Sequence, residues 1–185
     1  MQSREQTLWR GAREVARRHA WLARALGLVR VDFEPSDPQP SWGRVGAATV
    51  ASVVCSLLAD AIIVVIAEAV FPSTKGYPHF QFSDYAKLTI IGVLIGCAAW
   101  PVVTRVSSSA RWLFFRAAIL VTLVLWLPDL YILVKGQPAK AVFFLALMHL
   151  AIAVVTYNLL VRVAPCGERR HTRQMELGEV GRRLS

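Results

Sequence analysis

Charge is what this sequence has little of across most of its length. Charged residues make up 18% of the 185, against 55% hydrophobic, and they sit mostly outside four apolar stretches. A soluble domain spreads its charges along every helix, so this pattern excludes one. Cysteine is scarce too. Cys55, Cys97 and Cys166 form no C-x-x-C and no pairable spacing, which removes a disulfide framework and dithiol redox chemistry and leaves Cys55 and Cys97 as small packing residues. No Ser/His/Asp constellation, phosphate loop, paired catalytic carboxylates or H-E-x-x-H spacing occurs, so the chain reads as non-enzymatic. His149 is the only histidine inside an apolar stretch, whereas a b-type haem needs two axial side chains; neither cofactor nor metal is expected.

What the sequence does have is apolar length. Residues 45–71, 85–106, 112–134 and 141–163 each reach the roughly 20 residues that carry a helix across a hydrocarbon core of about 30 Å. The implied fold class is all-α, a polytopic four-helix transmembrane bundle. Ala67-Glu68-Ala69 has the small-x-small form of a signal cleavage site, but the apolar run before it is too long and starts too late, so the first stretch reads as a retained span. Charge orients the bundle. All seventeen arginines fall before the first span, around the second connection, or at and after the last span; the four lysines fall by the other two connections. Positive charge stays on the cytoplasmic side during insertion, which predicts a multi-pass protein of the cell inner (plasma) membrane with both termini cytoplasmic. The net charge of +9 then needs no nucleic-acid partner.

Residues 1–31 carry a separate pattern. Leu8, Ala12, Val15, His19, Leu22, Leu26 and Val29 recur at alternating spacings of four and three, which gathers them on one helical face. Arginines, among them Arg10, Arg13, Arg17, Arg18 and Arg24, occupy mostly the remaining faces, and Trp9 and Trp21 favour headgroup depth. The spacing predicts a basic amphipathic cytoplasmic helix lying on anionic lipid; the alternative is a seam for a partner helix. Residues 32–44, with Pro35, Pro38 and Pro40, read as a Pro-rich linker, and 164–185 as a basic cytoplasmic tail.

Within the spans, Asp60 stands out, because a carboxylate near mid-membrane costs roughly 2.5 to 3.5 kcal/mol on insertion scales. Thr49, Ser52 and Ser56 precede it at spacings of three and four, so the four side chains form one stripe towards the bundle interior. At about 1.5 Å per residue from each span's midpoint, Asp60 lies about 3 Å, His149 about 4 to 5 Å and Asp129 roughly 9 Å towards the outer side. Such a layer has two uses. Asp60 and His149 pair to satisfy each other and set helix register, or Asp60 takes and releases a proton with His149 as its partner. Asp129, after Pro128 near a span end, reaches outer headgroups or water instead.

Gly92 and Gly96 form G-x-x-x-G, which permits close helix approach within the bundle or between protomers, and Pro101 predicts a bend before the cytoplasmic end of its span. The outer loop 72–83 collects Tyr77, His79, Phe80 and Phe82, either as a lip on the headgroups or as a contact for a partner. The G-x-x-A-W pattern at Gly96 to Trp100, the basic turn Arg105 to Arg111, the break at Leu127-Pro128-Asp129 and Ala146-Leu147-Met148-His149-Leu150 together resemble a family of small four-span integral membrane proteins, mostly actinobacterial and of unknown function, over residues 91–163. The resemblance implies a compact four-helix bundle and draws attention to His149; it brings no activity. The expected function is a non-enzymatic accessory or scaffold subunit of a larger membrane assembly, packed on another membrane protein or on itself as a homo-oligomer. The alternative is a small oligomeric proton-coupled transporter or channel built on an intramembrane Asp/His pair.

Overall fold

The computed structural model describes Val31 and residues 33–167. The expected amphipathic helix of residues 1–31, with Trp9, Trp21 and its arginines, lies outside the described residues except for Val31, as does the tail beyond Gly167.

Among the described residues four α-helices follow one another: α1 (Trp42–Val70), α2 (Phe82–Val106), α3 (Ala110–Val134) and α4 (Ala139–Val163). All four are long and apolar enough to cross a membrane. Three of the C-terminal bounds coincide with the apolar run, but α1 starts three residues early because its cap stands at Ser41, whose hydroxyl accepts from the Arg44 N–H at 3.4 Å. The end of α3 is written in Lys135-Gly136-Gln137-Pro138. Gly136, at φ +89°, donates to the Leu133 carbonyl at 3.0 Å while the Gln137 N–H reaches back to Ile132 at 3.1 Å. This paired wrap needs a left-handed residue, which glycine supplies without strain, and Pro138 stops any continuation. One expectation is corrected: α3 runs through Pro128 to Val134, so Leu127-Pro128-Asp129 is no break. In a spanning helix, neighbouring helices and small local adjustments re-satisfy the carbonyl that proline frees.

The chain forms two compact units. Among the described residues, one contains residues 41–100 and 115–164; the other contains 33–40, 101–114 and 165–167. In the first, α1 packs along α4. Between α1 and α2, two 3₁₀ turns, Pro72–Thr74 and Pro78–Phe80, fold the loop. Thr74 Oγ1 donates to the carbonyls of Ala67 and Phe71, at 3.2 and 2.8 Å. Tyr77 and Phe80 thereby join Ala67, Ala141 and Phe144 in a buried cluster. The loop's aromatic side chains are thus partly consumed by the bundle's own core.

In the second unit the first part of the Pro-rich linker is hydrogen-bonded to the end of α2. Phe33 N–H donates to Val106 O at 3.0 Å, Ser36 N–H to Thr104 O at 2.8 Å, and Ser36 Oγ to Ser107 O at 2.9 Å. Gln39 exchanges bonds with Thr104, giving Nε2 to its carbonyl at 2.8 Å and accepting its hydroxyl at 2.9 Å. Gly167 closes against the same strip, its N–H 3.0 Å from Pro38 O, where any side chain would overlap the Asp37 carbonyl. The carbonyls at the end of α2 have no partner inside the helix, and this segment supplies one to two of them.

Candidate intramembrane polar site

The stripe on α1 faces inward: Ser52, Ser56 and Asp60 are all fully buried, while Thr49 returns its hydroxyl to Val45 O at 2.9 Å. Opposite them on α2 stand Thr89 and Cys97, with the Cys97 thiol beside Thr49 and Ser52. Asp60 Oδ2 accepts from Thr89 Oγ1 at 2.6 Å, at the short end of the range for O–H···O bonds. Asp60 Oδ1, Ser52 Oγ, Ser56 Oγ and, on α4, Thr156 Oγ1 are buried without a hydrogen-bond partner. Around Asp60 the packing is apolar, with Tyr85, Ala86 and Met148 in one cluster edged by Leu57, Ile63 and Val64.

The pairing of Asp60 with His149 is corrected. His149 Nδ1 lies 3.1 Å from Asp129 Oδ2, so with its proton on Nδ1 the imidazole donates to that carboxylate. Asp129 is buried, and the expectation that it reaches headgroups or water does not hold. Hairpin register is the reason. The tight turn after Val134 sends α4 back antiparallel, and a second link, from Trp126 Nε1 to Ala146 O at 3.0 Å, lies within a turn of the first on both helices. Those two links clamp α3 on α4, leaving Thr89 as the polar group at Asp60's depth. The sequence reading missed Thr89; the available signal was a hydroxyl in the second span at matching depth.

The packing glycines divide. Val93, Cys97 and Trp100 form the buried stripe of α2, and Trp100 Nε1 donates to Ala164 O at 3.0 Å. Gly96 borders that stripe, where an added Cβ would sit 3.6 Å from Thr156 Cγ2, in ordinary contact. Gly92 is exposed and an added Cβ would meet nothing within 4 Å, so Gly92 does not serve helix packing within the bundle. It lies about 100° around the helix from Val93. Pro101 stays within α2, and its carbonyl accepts from Thr104 Oγ1 at 3.0 Å. Among the described residues no group of three or more His, Cys, Asp or Glu side chains could hold a metal ion.

Four helices of spanning length, linked internally by single hydrogen bonds, define a multi-pass membrane protein of the four-helix class. The chain belongs to a family of unknown function, DUF6069, whose profile matches residues 36–165. The match begins beyond the arginine-rich segment. No curated protein and no solved structure matches.

Proposed function

We propose that this chain is a non-enzymatic accessory or scaffold subunit of a larger assembly in the plasma membrane, with both termini cytoplasmic. One observation carries the reading: only 11% of the apolar window of α3 is buried within the chain, against 22 to 28% for the other spans. Lipid tails are as apolar as leucine, so no hydrophobic force holds helices together inside a bilayer; packing and polar links must do so. With α3 held to its neighbour by two such links, its broad face, including Leu120, Val124 and Leu127, is left for another membrane protein. The N-terminal segment adds contact with anionic lipid or with that partner.

The test is a pull-down of tagged protein at native level from its own membranes in nanodiscs, with quantitative mass spectrometry. A stoichiometric membrane partner is expected, lost on deleting residues 1–31 while insertion persists. A clean homo-oligomer with nothing co-purifying overturns this reading.

A second reading, a small oligomeric proton-coupled carrier, is favoured by the orphaned Asp60 Oδ1 and the hydroxyls of Ser52, Ser56 and Thr156. A scaffold has no need of these groups. In that reading Asp129 and His149 form the Asp/His pair, and Asp60 is a separate proton carrier.

A further inference from the structure

The interior groups do not account for a cavity on the lateral surface. Between α3 and α4 runs a half-open groove of about 390 Å³, lined by the small side chains Ala118, Thr122 and Ala153 and the large ones Phe115, Trp126 and Tyr157. From Phe115 to Trp126 it extends about 16 Å along α3, close to half of a hydrocarbon core of about 30 Å. Its polarity is graded. Trp126 has already given its N–H to Ala146 O, and Thr122 its hydroxyl to Ala118 O at 2.8 Å, so both present carbon to the groove. At the opposite end Phe115 and Tyr157 meet edge to face, ring centroids 5.5 Å apart, and Asn158 lines the wall beside them. Asn158 Nδ2 donates to Val154 O at 2.8 Å, and its carboxamide oxygen and second N–H have no partner among the described residues. Exposed Arg116 follows Phe115, and exposed Arg162 stands one turn beyond Asn158.

We propose that this groove is a binding site for one anionic phospholipid. An acyl chain lies along Ala118, Thr122 and Ala153, the glycerol ester region meets the Asn158 amide, and the phosphate is drawn to Arg116 and Arg162. The order tail, amide, cation matches the order of groups along such a lipid. Asn158 sits five residues, about 7.5 Å along the axis, from the end of α4, within the last turn and a half of the span and within reach of the interfacial ester region. A bare apolar helix would fill the groove but would have no use for exposed cations next to Phe115 and one turn beyond Asn158, at the same end. Guanidinium groups bind phosphate through parallel N–H bonds, which gives the site its preference for an anionic head.

The test uses the full chain in vesicles of phosphatidylcholine and phosphatidylglycerol, with either lipid carrying brominated acyl chains that quench nearby indoles. Subtracting the signal of Trp126→Phe isolates quenching at Trp126. Brominated phosphatidylglycerol at low mole fraction should quench Trp126 more than brominated phosphatidylcholine does at the same fraction. Ala153→Leu, which adds bulk to the groove lining, should abolish that excess. Arg116→Gln and Arg162→Gln, both on the surface, should each weaken the preference about fivefold. Equal quenching by the two lipids overturns the proposal. So does absence of Trp126 quenching by either lipid together with a disulfide dimer formed only by Leu123→Cys, which would put a second copy in the groove.

Discussion

Asp60 illustrates how little of a buried charge's fate is decided by the residue itself. Its depth and its place on a hydroxyl stripe are legible from spacing alone, because i, i+4 and i+8 recur on one helical face. Its partner is not, because Thr89 lies on another helix and nothing in local sequence says which hydroxyl arrives opposite. Thr89→Val should cost about 1 to 3 kcal/mol by leaving Asp60 Oδ2 orphaned as well. Combining it with Asp60→Leu should recover most of that loss, since removing both partners spares the desolvation of either. Reversible unfolding in mixed micelles measures both, and simple additivity of the two changes would contradict the link. Tyr77, in the outer loop, offers a pH test. Burial first, and the nearby Asp129 carboxylate second, push its phenol above the ordinary value. A raised folded-state value means that this phenol's contribution is complete below about pH 10 and is lost as pH climbs through the folded value. Because its buried hydroxyl has no partner, Tyr77→Phe should leave the melting temperature at neutral pH unchanged or higher and flatten the alkaline decline. A steeper alkaline decline would refute this.

At the scale of elements, the four helices were readable because a bilayer demands long apolar runs, and the run lengths survive into the structure within a few residues. The α3/α4 hairpin shows where that legibility stops. Gly136 followed by Pro138 marks the stop of α3 in the sequence, yet the consequence, Asp129 beside His149 and Trp126 beside Ala146, depends on the exact wrap of the turn. Gly136→Ala should therefore cost about 1 kcal/mol or more from placing a Cβ at positive φ. It should also shift the His149 ring resonances of isotope-labelled protein in nanodiscs, because the register that seats Asp129 is relaxed. Unchanged His149 resonances would show that the helices, and not the turn, hold that register. G-x-x-x-G guided only in part for a similar reason: the motif marks where close approach is possible within the bundle or between protomers, and within the chain Gly96 borders the buried stripe through Val93, Cys97 and Trp100 while Gly92 lies outside it.

For the whole molecule, the two functional readings part at Asp60. Asp60→Asn keeps shape and hydrogen bonding but removes the exchangeable charge, so partner capture in nanodiscs should stay within about twofold of the parent, well inside the factor of ten that 1.4 kcal/mol represents. Loss of capture together with loss of proton uptake in proteoliposomes would move the assignment to the carrier. Sequence alone determined that this is a four-span α-helical membrane protein, because hydropathy and backbone satisfaction in lipid leave no other solution for such runs. It also determined which few polar side chains must be explained. Tertiary structure alone decided that Asp129 and not Asp60 meets His149, that Thr89 answers Asp60, that residues 33–40 dock on the end of α2, and that α3 keeps most of its surface uncovered. The physical reason is common to all four. Helix formation is set by neighbours in the chain, whereas rotation and register between helices are set by a handful of hydrogen bonds and contacts between residues distant in sequence.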